Sequence, residues 1–434
     1  MDGFAFIDGH LHAERVRMST IAERAGTPTF VYSAATLRDH VRKLRAAFAP
    51  LDPLPCFSVK SCPNLSVLRV VAAEGCGMDV VSRGELRRAL TAGVDPSRIA
   101  YAGVGKTRES LEEAITIGVG CLNVESAEEL ELVARVSAEL RRPTSLALRV
   151  NPDVDAGTHR HTTTGTKATK FGVGVERAEE LFERLRDHSF ARLEGLHLHI
   201  GSPVLDTSRY AAAIDVALAL IERLRRRGHA IRVLDLGGGF GADYETGQSP
   251  SPQAYADAIV PRVLPLRDQG VRFLLEPGRF VAANAGVLLL RVVRVKREAT
   301  KTFVICDAGM NALLRPSHYD AFHFIWPAEP RDGLVPTRRA IETGLAGLAP
   351  CDVVGPLCET GDYLALDRSL PPLREGDLLA AFTAGAYGMS MASRYNAQPL
   401  PAEVLVDGDR ATLARRRESL DELLAHETDP EPLA

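Results

Sequence analysis

Lys60 is the residue around which the chemistry of this chain is best read. It follows CFSV, Cys56 to Val59, an apolar run with the length of a buried strand, and Pro63 and Asn64 then begin a new element. Desolvating an ammonium is expensive, so a lysine at the end of a core strand either points into a site or snorkels to solvent. For Lys60 alone the second reading is the more ordinary one. The first gains force only if other strand ends bring partners to the same place.

Those ends can be located. Eight short apolar stretches recur with helical patterns between them: CFSV at 56, GMDVV at 77, IAYAG at 99, CLNV at 121, SLALRV at 145, GLHLHI at 195, VLDLG at 233 and FLLEP at 273. Helices are expected over 34–48, 86–92, 127–140 and 210–226. Eight alternating units predict a closed parallel (β/α)8 barrel of α/β class, with its site at the carboxyl ends of the strands. Those ends supply Lys60; Asp79 and Ser82; Asn123 and Glu125; Arg149 and Asn151; His199, Gly201 and Ser202; Gly237, Gly238 and Gly239; and Glu276, Gly278 and Arg279. Ser82 with Glu85, and Ser126 with Glu129, also fit S-x-x-E capping boxes, which need no catalysis. After the barrel the pattern turns to strands, from VLLLRVVRVK (287–296) to AEVLVDGDRATLARR (402–416), which predicts a second, mainly β domain. The last residues read as a short acidic helix and a frayed end.

The glycine triplet after the seventh strand would let bare backbone N–H groups approach an anion, and Ser202 beside Gly201 would donate to the same group. GGGFGA also satisfies a loose G-x-G-x-x-A pattern, but a seventh barrel strand is the wrong context for dinucleotide binding. AGVGKT (102–107) ends like a P-loop and lacks its first glycine, since Ala100 stands there. A strand-end lysine, an anion cradle, a histidine and a carboxylate together suit pyridoxal 5'-phosphate. Lys60 would hold the cofactor as a Schiff base, His199 would stack on the ring, and Glu276 would pair with the ring nitrogen.

Composition excludes several other classes. The 434 residues are 45% hydrophobic with a formal net charge of -4, enough for a large core and without a basic surface for nucleic acid. No apolar run would span a bilayer and the N-terminus is acidic, so neither a membrane nor a signal peptide is expected. Seven cysteines without a C-x-x-C pair read as reduced thiols of a cytoplasmic protein, one of them chemically active. One rival remains. His10 and His12 form an H-x-H pair, which on a strand opening a barrel would grip zinc as in metal-dependent amidohydrolases; a polar turn is the plainer reading.

The motifs VKSCPN, GMDVVSRGEL, NVESAEEL, RVNPDVDAGTH, KFGV, GLHLHIGS, LDLGGGFG and EPGR, followed in order by DAGMNALLRPSHYDAFH, GPLCETGDYLA, AGAYGMSMASRYN and PAEVLVDG, closely resemble the diaminopimelate decarboxylases. That family belongs with ornithine decarboxylase and alanine racemase to the barrel class of pyridoxal phosphate enzymes. The resemblance covers nearly the whole chain. It implies decarboxylation of meso-2,6-diaminopimelate to L-lysine and CO2, in lysine biosynthesis, by a homodimer. It also implies a cofactor-binding barrel over 34–283 and a β domain built from 1–33 and 284–434, which carries dimer and substrate contacts.

By the same resemblance Lys60 is the Schiff-base lysine, His199 the stacking histidine and Glu276 the ring-nitrogen carboxylate. Asp79, Ser202, Gly237 to Gly239, Pro277, Gly278, Arg279 and Tyr387 are cofactor-binding positions. Cys358 is the residue that reaches the partner's site and protonates the carbanion. Arg279, Arg315, Tyr319, Glu359 and Tyr387 are substrate-binding positions, and no metal is implied. Arginine forks suit the distal carboxylate of a substrate with an amino acid group at each end. Arg315 and the Cys358-Glu359 pair favour diaminopimelate over ornithine, whose decarboxylases usually carry Asp after the cysteine. Pro203, Thr360, Ala392, Arg394 and Gln398 depart from the family's usual residues, which leaves open a decarboxylase acting on ornithine, lysine, arginine or a specialised substrate.

Overall fold

Eight parallel strands close into a barrel in a computed structural model that describes residues 2–155, 157, 164, 170–244 and 249–427. The end of the RVNPDVDAGTH motif (156, 158 and 159) and the expected frayed end (428–434) lie outside the described residues. The barrel strands run in chain order: Leu54–Ser58, Gly77–Val80, Ile99–Tyr101, Cys121–Val124, Thr144–Asn151, Ala191–His197, Val233–Asp235 and Arg272–Leu275. The eighth pairs with the first at Leu274↔Leu54, and the fourth with the fifth at Leu122↔Leu146, so the ring has no open edge. All eight expected strands are present.

Small residues make the lower floor of the barrel interior. Cys56, Ala100, Cys121, Ala147, Val233 and Leu274 form one buried apolar cluster. Alternation along each strand then turns Asp79, Asn123, His197 and Asp235 inward at the next level, nearer the carboxyl ends. Helices follow at Arg83–Thr91, Ala127–Leu140 and Thr207–Arg226, and Ala34–Ala47 precedes the first strand. The two expected capping boxes are corrected. Ser82 and Ser126 do accept from the N–H groups of Glu85 and Glu129. The glutamates, however, take the N–H groups of Val81 and Glu125, one residue before each cap, so the return arm tightens the strand-to-helix turn instead of the cap.

The chain divides into two compact units: Leu37–Asp243 with Gly247–Ala282, and Met1–Thr36 with Tyr244–Thr246 and Ala283–Ala434. The second unit holds a mixed sheet in the order Tyr363–Leu370, Ala349–Val354, Thr302–Cys306, Gly286–Arg297, Thr29–Ser33, Ala402–Asp407 and Arg410–Arg415. TFVYS of Thr29–Ser33 is buried at every position, as a central strand requires. It pairs antiparallel with Gly286–Arg297 and parallel with Ala402–Asp407.

The histidine pair is corrected here. His10 and His12 lie on His10–Ala13, the middle strand of a small antiparallel sheet in this second unit, not on a barrel strand. His10 Nδ1 is 3.4 Å from Glu329, which also binds Arg17, and His12 Nδ1 is 2.9 Å from the His10 carbonyl. These are surface pairings without a converging ligand set. Among the described residues no helix is long and apolar enough to cross a membrane.

Candidate active site

Lys60 stands just beyond the first barrel strand, in a single 3-10 turn, Val59–Ser61. Its Nζ lies 2.8 Å from Asp79 Oδ2, on the neighbouring second strand, and about a third of the side chain is open to solvent at 37%. Asp79 is fully buried. Its Oδ2 also accepts from Ser58 Oγ at 2.8 Å, and Ser58 Oγ lies 3.2 Å from the Glu276 carbonyl. Asp79 Oδ1 is buried with no hydrogen-bond partner among the described residues, so the carboxylate keeps acceptor capacity beside Lys60. Lys60 therefore points into the barrel mouth and does not merely snorkel.

A second lysine shows what a structural role looks like. Lys106, of the failed P-loop match, has only 1% of its side chain exposed. Its Nζ donates to the Gly103 and Asn123 carbonyls at 2.7 Å and to Glu129 at 2.6 Å, which satisfies all three hydrogens of the ammonium.

Glu276 follows the eighth strand into a buried polar cluster. Its Oε2 is 3.2 Å from His197 Nε2, and its Oε1 is 3.3 Å from Asn123 Nδ2. Asn123 Nδ2 also donates to Asp235 Oδ2 at 2.9 Å, and Asp235 Oδ1 accepts from the Gly237 N–H at 2.9 Å. Burial pushes Cys121 up, so its thiol stays protonated and lies 3.6 Å from Asn123 Oδ1. That contact fixes the amide with its NH2 toward the two carboxylates. Burial, reinforced by Asp79, raises Glu276 to about 8; burial and Glu276 raise Asp235 to about 7. Two buried carboxylates this close share a proton at neutral pH.

Burial, aided by Arg149 and Lys60, holds His199 well below the usual histidine range, so its ring is neutral. Its Nδ1 accepts from the Gly238 N–H at 3.2 Å, which leaves the hydrogen on Nε2. Arg149 and Glu125 form a buried pair at 2.8 Å, and Arg149 Nη2 reaches the His199 carbonyl at 3.3 Å. Burial alone would raise Glu125; Arg149, through its charge and its hydrogen bond, outweighs burial and holds the carboxyl below its ordinary value.

The glycine triplet is only partly the bare cradle expected. Gly237 and Gly238 already donate to Asp235 and His199; of the three, Gly239 alone keeps an N–H without a partner among the described residues. The first two glycines are needed for packing. A Cβ on Gly237 would lie 2.0 Å from the Leu198 carbonyl, and one on Gly238 2.3 Å from the Glu276 carbonyl. Arg279, buried at the start of Arg279–Ala282, donates from Nε to Ser202 Oγ at 3.1 Å. This puts a cation and a hydroxyl together as an anion would require. Pro277 and Gly278 bring the chain over the first strand, with the Pro277 carbonyl accepting from the Ser58 N–H at 3.0 Å.

The second unit carries the remaining expected residues. Six cysteines are buried and Cys358 is exposed. Its loop is held by Asp362, whose Oδ2 accepts from the Leu357 N–H and whose Oδ1 accepts from the Met310 N–H, both at 2.7 Å. Asn396 accepts the Cys358 N–H at 3.1 Å, and Glu359 bonds the exposed Tyr395 hydroxyl. Arg315 is buried, with Nη1 3.0 Å from His323 Nε2 and its guanidinium 4.9 Å from the centre of the Tyr244 ring. Tyr319 is half-buried against His318. Tyr387 is half-buried with φ 57°, a left-handed backbone unusual outside glycine.

Two residues of the cluster escape a reading of strand ends: His197 and Asp235. Both had a signal in the sequence. His197 lies two before His199 and so faces the same way on its strand, and Asp235 is the one charge within the apolar run VLDLG.

Residues 34–283 match the pyridoxal binding domain of the pyridoxal-dependent decarboxylases. Among curated proteins the chain is 46% identical over 428 residues to the diaminopimelate decarboxylase of Pseudomonas aeruginosa, covering 99% of each. It is 41% identical to that of Zymomonas mobilis over 98% of each. Among solved structures, diaminopimelate decarboxylase from M. jannaschii in complex with L-lysine superposes with a TM-score of 0.91 at 32% identity, covering 99% of both chains. The Helicobacter pylori enzyme complexed with L-lysine gives 0.87 at 35% identity, over 94% of this chain and 98% of that one.

Proposed function

This chain belongs to the pyridoxal-dependent diaminopimelate decarboxylases, and from that membership we propose that it converts meso-2,6-diaminopimelate to L-lysine and CO2 with pyridoxal 5'-phosphate held in the barrel mouth. The observation that carries the reading is one chain of contacts: Lys60 Nζ on Asp79, Asp79 on Ser58, and Ser58 within reach of the Glu276 carbonyl. It ties an amine that can bind a carbonyl covalently to a carboxylate suited to a ring nitrogen. The donor set fits the cofactor: the unfilled Asp79 Oδ1 suits a protonated nitrogen, and Arg279 with Ser202 and the Gly239 N–H suits a phosphate.

When bound, pyridoxal phosphate supplies an electron sink for the carbanion left as CO2 departs. The chain's own groups do the rest. Lys60 would hold the cofactor covalently until the substrate amine takes its place, with Asp79 positioned to hydrogen-bond that nitrogen. His199, neutral and locked by Gly238, offers a flat face. Glu276 holds a proton at the ring nitrogen. Gly237, Gly238 and Gly278 line the mouth by backbone, and Pro277 fixes that turn. Arg315, Tyr319, Glu359 and Tyr387 bind the substrate's far end, the arginine taking the distal carboxylate. Cys358, exposed on its own chain, delivers a proton from Sγ to the α-carbon in the site of a second copy, which makes a homodimer the working unit in the cytoplasm. In this division residues 34–283 carry the cofactor, and 1–33 with 284–434 supply dimer and substrate contacts.

The test is CO2 release from purified holoenzyme given meso-diaminopimelate, ornithine, lysine or arginine in parallel, with the visible spectrum recorded in each. Turnover of diaminopimelate above the others is expected. A cofactor band with turnover of another amino acid alone would reject the substrate and keep the chemistry; no band after adding pyridoxal phosphate would reject both.

A further inference from the structure

His197 sits beneath Glu276, is 1% exposed, and has no part in the functional reading so far. Its two nitrogens differ sharply. Nε2 lies 3.2 Å from Glu276 Oε2, while Nδ1 is buried without a hydrogen-bond partner among the described residues. An orphaned ring N–H costs more than an orphaned lone pair, because buried donors are almost always satisfied. The hydrogen of the neutral ring therefore belongs on Nε2, directed at Glu276, and the bare lone pair belongs on Nδ1. The opposite arrangement would bury an unsatisfied donor and would require Glu276 to carry a proton toward the ring.

The rest of the cluster is arranged to match. Asn123 gives one amide hydrogen toward Asp235 and one toward Glu276, and it cannot turn over without presenting its oxygen to both carboxylates. Asp235 and Glu276 are hydrogen-bonded to each other, so one proton lies between them. Two donors, His197 and Asn123, converge on Glu276, and each stabilises its ionised form. Asp235 receives Asn123 and the Gly237 N–H. The charged groups facing His197 are Asp235 on the seventh strand, Arg149 and Glu125 at the ends of the fifth and fourth, Asp79 on the second, and Glu276 after the eighth. Glu125 and Arg149 cancel as a pair. Burial is the largest influence on His197 and keeps it neutral, a donor at one nitrogen only.

We propose that His197 is a positioning residue for the cofactor: its Nε2–H holds one oxygen of Glu276 and so fixes the direction in which that carboxyl group meets the ring nitrogen. This rests on the proposed reading of Glu276 and adds its means. A carboxyl group turned away from the ring nitrogen would pair with it poorly, so the contact from His197 sets how firmly the cofactor is held and how its ring nitrogen titrates.

The test compares His197→Gln, which retains an N–H donor, with His197→Leu, which retains the bulk and loses the donor. Nitrogen-15 spectra of histidine-labelled wild-type protein, with and without pyridoxal phosphate, should show His197 neutral with its hydrogen on Nε2. His197→Leu should weaken pyridoxal phosphate binding at least about tenfold and shift the pH midpoint of the bound cofactor's absorption band by about a unit; His197→Gln should recover most of both. An imidazolium, or an Nδ1–H tautomer, would overturn the proposal without any cofactor being involved. So would equal effects of the two variants, which would mean packing alone, or no effect of either. Failure of wild-type protein to bind pyridoxal phosphate would count against the proposed function, and the tautomer measurement would still decide the role of His197.

Discussion

Arg149→Met should be among the most damaging single changes in the barrel, and its cost follows from what it leaves behind. The side chains of Arg149 and Glu125 are 8% and 2% exposed and meet at 2.8 Å. Without the guanidinium, Glu125 keeps the Gly172 N–H at 3.1 Å as the one donor to its side chain among the described residues, and the His199 carbonyl loses a donor. Stranding one member of a buried pair costs about 3–5 kcal/mol, a large share of the roughly 5–15 kcal/mol that stabilises a typical domain. The double variant Arg149→Met/Glu125→Leu removes both charges and should recover most of that loss, since apolar replacement of a buried pair is often neutral.

The sign of the pH dependence separates charge from packing. In the wild type Glu125 is held below its ordinary value, so its contribution is complete above the unfolded value near about 4.3 and is lost as pH falls through the depressed folded value. In Arg149→Met burial loses its main opponent and raises Glu125. The penalty is then absent below the unfolded value and grows as pH rises. Urea unfolding followed by circular dichroism at about pH 5 and about pH 7.5 should therefore show a smaller deficit at the lower pH. Equal loss in the single and double variants, or a deficit independent of pH, would refute the electrostatic account.

Other outcomes follow from the same geometry. Borohydride reduction of holoenzyme should fix the cofactor's mass on the peptide carrying Lys60; label on Lys106 would reverse the roles given to the two lysines. An aromatic disulfide reagent should titrate one fast thiol in the native protein, removed by Cys358→Ala, because the other six cysteines are buried. Cys358→Ala should retain the visible cofactor band and lose about 10²–10⁴-fold in turnover, and retained activity would end its proton-donor role. Gly238→Ala should cost about 1–3 kcal/mol and weaken pyridoxal phosphate binding, because its Cβ would meet the Glu276 carbonyl at 2.3 Å. Unchanged cofactor affinity in that variant would show that the loop relaxes without moving Glu276.

Much of this architecture was legible because barrel strands are short apolar runs at regular spacing, and because polar residues at their carboxyl ends stand out against them. Lys60, Asp79, Asn123 and Glu276 are found together for that reason. His197 and Asp235 are the last residues of their strands, but the apolar runs GLHLHI and VLDLG continue past them and set the apparent end later; only their polarity within those runs marks them. The glycine triplet suggests anion contact, yet at Gly237 and Gly238 the tighter constraint is backbone packing against Leu198 and Glu276, which no local pattern displays. His10 and His12 show the opposite case. Their spacing was right for a metal, but which sheet their strand joins is a long-range outcome that periodicity does not encode.

The place of Thr29–Ser33 has a consequence for how the chain is made. Every barrel strand has been translated by residue 275, so the ring can close while synthesis continues. Thr29–Ser33 emerges before any of them, yet its parallel partner, Ala402–Asp407, is translated well after the last barrel strand. Until then one side of an apolar strand stays open, and an open strand edge recruits other chains. Pairing across so long a separation is also slow. Nascent and C-terminally truncated chains should therefore aggregate through residues 29–33 while their barrels are already native, and a chaperone acting late in synthesis would be expected at that strand.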